Sequence, residues 1–240
     1  MKLYIPIIVL SLFVSCSNDN PQKIIDKSIA TSGGQKYLSS TTEFDFRDRH
    51  YIAKRNEGVF SYERITKDSI NTTHDFLSND GFRREINGSQ VEVADSMKTR
   101  YSASVNSVVY FALLPYGLND ASVQKKFLGT TNIENKEQYV VEITFGQEGG
   151  GEDHDDVFMY WINKKEFTID YMAYSFAEND GEGYRFRKAY NPRRVNGLLF
   201  FDYINYKPKS GAKLTDLEEL FKKGELEELS KIELLNISVE

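Results

Sequence analysis

The chain has 240 residues, a formal net charge of -6 and a sequence pI near 5.3. This acidic balance excludes nonspecific nucleic-acid binding, which needs excess positive charge. The single cysteine excludes an intrachain disulfide and a cysteine-rich zinc site, and an aromatic content of 13% is higher than a disordered chain carries.

Met1-Lys2 precedes an almost wholly apolar run, Leu3 to Val14. That run is too short to span a membrane as a helix, which takes roughly 20 residues, but it has the length of a signal-peptide core. Leu12-Phe13-Val14-Ser15-Cys16 follows and resembles a bacterial lipobox, with Phe13 where a smaller aliphatic residue is usual. The resemblance implies a signal peptide over residues 1–15, lipidation of Cys16 and a polar tether over 16–22; the chain length and the lack of a long Pro/Gly/Ser linker make 23–240 one domain. A plain secretory signal with an incidental Cys16 is the alternative. The placement of the chain's only cysteine at this point favours lipidation.

Pro21 opens a helical pattern with Ile24, Ile25, Ser28 and Ile29 on one stripe. Gly33-Gly34 stops it, and a short turn follows from Gln35 to Ser39. Strand patterns then run over Thr42–Tyr51, Val59–Lys67, Ile70–Phe76, Phe82–Ile86 and Gln90–Val93. Asn87-Gly88 joins the last two as a two-residue hairpin turn. Arg83 and Arg84 read as solvated or salt-bridged edge residues, with a phosphate or headgroup contact as the alternative. At Met97 the period changes to helical. Tyr101, Val105, Val108, Val109, Ala112 and Leu113 form a stripe that Pro115 ends. Leu118 to Leu128 reads as a loop with a short helix.

Five strand-length runs follow: Tyr139–Phe145, Val157–Ile162, Ile169–Phe176, Tyr184–Tyr190 and Leu198–Tyr206. The first alternates apolar and polar residues. The later ones are apolar on both faces, which suits strands covered on both sides. Asn196-Gly197 is a hairpin signal, and no helix-length crossover intervenes, so the pairing is antiparallel. Asn191-Pro192-Arg193-Arg194 reads as a turn between the fourth and fifth runs. Leu214, Leu217, Leu220 and Phe221 mark a helical stripe, and Ile232–Val239 a closing edge strand.

The stretch between the first two runs is unusual. Three glycines, Gly149 to Gly151, stand among five carboxylates and His154. Such oxygen density suits Ca²⁺ or Mg²⁺, and the imidazole a transition metal. The order fits neither an EF-hand loop nor a His-Glu-x-x-His site. An acidic hairpin loop is the plain reading, so no cofactor is expected. A divalent cation at Asp153, His154, Asp155 and Asp156 is the alternative. No nucleophile elbow, dinucleotide fingerprint or phosphate-binding lysine motif is present, which leans against an enzyme.

Several segments together resemble an uncharacterised lipoprotein family of Bacteroidota, DUF6503-like. They are the lipobox, Ile29-Ala30-Thr31-Ser32-Gly33-Gly34, Phe44-Asp45-Phe46-Arg47 and Asn106-Ser107-Val108-Val109-Tyr110-Phe111-Ala112-Leu113-Leu114-Pro115-Tyr116. Asp153-His154-Asp155-Asp156-Val157, Tyr160-Trp161-Ile162-Asn163 and Ile169-Asp170-Tyr171 complete the set. A more distant likeness is to LolA/LolB-type lipoprotein carriers. It implies an α+β fold: a curved, mainly antiparallel, half-barrel-like sheet with a few helices on its concave face, enclosing a cavity for acyl chains. The expected function is that of a membrane-anchored envelope lipoprotein, most simply of the outer membrane and facing the periplasm or the surface. It would bind an apolar ligand such as a lipid or acyl chain. Candidate cavity residues are Tyr101, Val105, Val108, Val109, Ala112, Leu113, Tyr160 and Phe186. A structural or protein-interaction module of the envelope is the alternative.

Overall fold

The computed structural model describes residues 20–146, 156–178, 181–209 and 211–240. Helix α1 spans Pro21–Ser32. The Asn20 side chain caps it by accepting from Gln22 N at 2.9 Å, and Pro21 occupies the first turn, where no intrahelical donor is needed. At its end the Gly33 N–H returns to the Ile29 carbonyl. A β-carbon at Gly33 would collide with the Leu198 side chain and the Tyr37 ring, so glycine lets the helix end close on the core. A 3₁₀ turn, Gly34–Leu38, leads into the first sheet.

That sheet is built from β1 (Ser39–Phe46), β2 (Arg49–Asn56), β3 (Val59–Lys67), β4 (Thr72–Ser78), β5 (Gly81–Ile86) and β6 (Ser89–Val91), joined as successive hairpins. Helix α2 (Asp95–Ala112) then carries the chain away. The second sheet comprises β7 (Val123–Ile133), β8 (Lys136–Phe145), β9 (Phe158–Asn163), β10 (Ile169–Glu178), β11 (Gly181–Val195) and β12 (Leu198–Lys207). The short helix α3 (Leu217–Lys222) and β13 (Glu227–Ile232) follow, and β13 pairs with β12. Finally β14 (Leu235–Val239) returns to pair with β1. The spatial orders are β14-β1-β2-β3-β4-β5-β6 and β13-β12-β11-β10-β9-β8-β7, and all these pairings are antiparallel.

The expected architecture, one curved half-barrel-like sheet with helices on its concave face, is corrected by this topology. There are two seven-stranded sheets, and among the described residues neither closes, since β14 and β6 end one and β13 and β7 the other. The reason lies in α2. Hairpins propagate one sheet, but an 18-residue helix breaks the run, and the next hairpin starts a new sheet.

Other boundaries also differ from the sequence pattern. Thr42–Tyr51 is two strands, because Arg47 adopts φ 57° and turns the chain without a glycine. The expected loop after Leu118 is the edge strand β7, whose lysines and threonines hide its alternation and whose irregular pairing falls between Phe127 and Gly129. The expected Asn191–Arg194 turn lies inside β11. Asn191 has φ 50° and the ladder slips between Tyr190 and Arg193, a bulge that tolerates Pro192 without its N–H. Ile232–Val239 is the end of β13, a crossover and β14. Buried Asp202 holds that crossover: it accepts from Leu234 N at 3.0 Å, Arg193 Nη2 at 2.7 Å and Asn191 Nδ2 at 2.7 Å.

Three apolar cores result. Val105, Val109 and Ala112 of α2 pack on Phe44, Tyr51, Ala53 and Tyr62 of the first sheet, with Leu198 and Phe200 joining from β12. Ile24 and Ile25 of α1, with Leu114 and Leu118, cover the inner face of the second sheet at Val141, Ile143, Phe158, Tyr160 and Ile162. On its outer face Met159, Trp161, Tyr171, Ala173 and Phe186 pack under Leu217 of α3. Strand β9 therefore alternates between two cores and is buried throughout, as its doubly apolar sequence requires. Each such side chain contributes roughly 1.5–3 kcal/mol on burial.

Candidate functional site

Helix α2 has two working faces. Val105, Val109 and Ala112 recur at helical spacing and point to the first sheet. The opposite side of the same turns carries Asn106, Ser107, Tyr110 and Phe111, which, with Val108 at its border, line a cleft of about 470 Å³. Across the cleft stand Phe145 of β8, Phe158 of β9, Tyr174 and Phe176 of β10, and Arg187 of β11; Phe46 of β1 borders it from the first sheet. Period-2 alternation puts these strand side chains on one face.

The wall is mostly aromatic. The Phe158 ring is its hub, with centroids of Tyr174 at 5.4 Å, Phe145 at 5.7 Å, Tyr110 at 6.0 Å and Phe111 at 6.3 Å. Beneath it the Tyr110 and Tyr160 hydroxyls share a 2.8 Å hydrogen bond that ties α2 to β9. Burial pushes both phenols well above their ordinary range, as it does that of Tyr203. These groups therefore stay protonated at neutral pH and act as hydrogen-bonding groups. A second cleft, also of about 470 Å³, shares Asn106, Tyr110 and Phe145 as its wall and extends toward Arg55, Tyr116 and Asp120.

Arg187 is the exception in this apolar setting. It is 8% exposed. Its guanidinium lies 4.0 Å from the Phe111 ring centroid and 5.0 Å from that of Tyr174, and its Nη2 donates to the Tyr174 hydroxyl at 2.6 Å. Its Nε has no hydrogen-bond partner, and among the described residues no carboxylate pairs with it. Asp156 and Arg185 also line the cleft, and Arg185 lies 4.6 Å from the Phe176 ring centroid.

Of the residues singled out from sequence, Val108 lines the cleft and Tyr160 lies beneath it. Val105, Val109, Ala112 and Leu113 turn to the first sheet. Tyr101 sits there too, with the Arg84 guanidinium 3.7 Å from its ring centroid. Phe186 is on the outer face of the second sheet, its ring 4.7 Å from that of Phe221. Cys16, Asp153, His154 and Asp155 lie outside the described residues, and Asp156 borders the cleft. Among the described residues, no group of three or more His, Cys, Asp or Glu is placed to hold a metal ion. Arg83 and Arg84 point to opposite faces: Arg84 pairs with Asp75 at 2.5 Å, while Arg83 pairs with Glu85.

Sequence reasoning missed Phe111, Phe145, Phe158, Tyr174 and Arg187 as one constellation. The only local signal is alternation, which sets Arg187 on the face opposite Phe186; with Arg185 and Lys188 in the same run, its charge does not stand out in the sequence.

The model of a family of unknown function, DUF6503, matches residues 2–235. No curated protein matches the chain. Among solved structures, a LolA superfamily protein from Nitrosomonas europaea is similar over 92% of this chain and 91% of its own, at 9% identity and a TM-score of 0.50. A DUF1329 family protein from Desulfovibrio piger is similar over 91% of this chain and 92% of its own, at 11% identity and a TM-score of 0.52. At such identities the likeness is one of fold.

Proposed function

We propose that this chain, which belongs to the DUF6503 family, is a lipid-anchored protein of the bacterial cell envelope that holds an apolar ligand, a lipid or acyl chain, in the cleft between α2 and the second sheet. The cleft wall carries this reading. Phe111, Phe145, Phe158, Tyr174 and Phe176 leave apolar surface facing open space, where a well-filled core would cover it. A volume of about 470 Å³ falls within the ~300–1,000 Å³ that holds small organic ligands. The fold it shares with a LolA superfamily protein is in keeping with the same reading.

Anchoring rests on Cys16 and the lipobox-like sequence before it. Each acyl CH₂ inserted in a bilayer contributes about 0.8 kcal/mol, so two or three chains hold a folded domain at a membrane. An outer-membrane position, facing the periplasm or the surface, belongs to the same proposal.

Native mass spectrometry of gently extracted protein tests both parts. The expected spectrum shows a mature N-terminus at an acylated Cys16 and one co-purifying lipid per chain. Val108→Asp, which sets a carboxylate at the cleft border, is expected to release that lipid while circular dichroism stays unchanged. A wild-type protein that never carries lipid, or a Val108→Asp variant that carries as much, overturns the cleft reading. An unacylated end at another residue overturns the anchor.

A further inference from the structure

We infer that Arg187 is the headgroup anchor of the cleft, and that its occupant is a single-chain amphiphile ending in a carboxylate, such as a long-chain fatty acid. The inference rests on the apolar-ligand reading above and names the chemistry of the ligand's polar end.

Arg187 is a buried residue, and a cation largely removed from water needs a counter-charge, because without one the charged form is strongly disfavoured. The other interior arginine of the fold has one: Arg64 donates to Asp75 through Nε at 3.0 Å and Nη2 at 2.6 Å. Among the described residues, Arg187 has ring faces and a neutral phenol and no carboxylate. Its Nε has no hydrogen-bond partner among the described residues, and the side chain forms part of the cleft wall. A carboxylate accepts two parallel N–H bonds from a guanidinium fork, while the aromatic wall takes the hydrocarbon tail.

The test uses the full chain, stripped of bound lipid, and two probes with the same sixteen-carbon tail, palmitate and hexadecanol. Equilibrium dialysis at pH 8 measures both. The expected result is palmitate bound about tenfold or more tighter than hexadecanol, the margin of a charge-assisted hydrogen bond over a neutral one. Arg187→Met, which keeps the stem and removes the charge, is expected to lose that preference and still bind hexadecanol. Arg187→Lys is expected to keep part of it, which separates loss of charge from loss of fold. Equal binding of the two probes by the wild type overturns the anchor role and leaves the apolar cleft standing. A preference that survives in Arg187→Met also overturns it. Failure of the wild type to bind either probe overturns both readings together.

Discussion

The Trp161 indole Nε1 donates to the Glu218 carboxylate at 2.8 Å, joining β9 to helix α3 across the outer face of the second sheet. Glu218 also accepts from Lys222 Nζ at 2.5 Å and from the Thr131 hydroxyl. Six residues are too few for a helix to stand alone, so α3 depends on this carboxylate and on buried Leu217.

Acid should therefore release α3. Burial raises the Glu218 carboxyl, but the hydrogen bonds from Lys222, Thr131 and Trp161 outweigh it and hold the group below its ordinary value. A carboxyl lowered by folding contributes stability that is complete above the unfolded value, about pH 4.3, and is lost as pH falls through the folded one. Trp161 is the only tryptophan, so its fluorescence reports the event directly. Its emission is expected to shift as pH drops below about 4, and Glu218→Gln should remove the step. Superimposable titrations of the two proteins would show that α3 does not depend on this charge.

Local signals carried much of the architecture. Asn87-Gly88 and Asn196-Gly197 turn where the sequence pattern places them, with positive φ at all four residues. The Phe158–Ile162 run is buried on both faces as its composition implies. What stayed hidden depends on partners distant in sequence. Nothing local says that β14 leaves β13 to join β1, because that exchange is fixed by Asp202, Arg193 and the Leu234 backbone. The cleft stayed hidden for the same reason. The α2 stripe was visible, but a helix between two sheets buries one face and presents the other, and the more apolar face, Val105-Val109-Ala112, went to the core. The cleft fell to its opposite side.

The Arg64–Asp75–Arg84 cluster supplies a stability test. Asp75 is 2% exposed and pairs with both arginines, while Arg64 also donates to Ser104 of α2 at 2.7 Å. Asp75→Ala leaves two guanidiniums without a counter-charge beneath the helix. Urea unfolding is expected to show a loss of about 3–5 kcal/mol. Replacing Arg83, whose partner Glu85 is on the solvent side, is expected to change stability by no more than about 1 kcal/mol. Equal effects at the two sites would contradict the burial difference.

The Tyr110–Tyr160 pair yields the last prediction. Both hydroxyls lie between α2 and β9, and each is the other's only hydrogen-bond partner among the described residues. Burial raises the pKa of both phenols, since each hydroxyl sits away from water. Tyr110→Phe therefore strands the Tyr160 hydroxyl, and Tyr160→Phe the Tyr110 hydroxyl, each at a cost of about 1–3 kcal/mol. In the double Phe variant neither hydroxyl remains, so its loss should be smaller than the sum of the two. Chemical denaturation of the three variants measures the cycle. Strict additivity would mean that this bond does not couple α2 to the sheet.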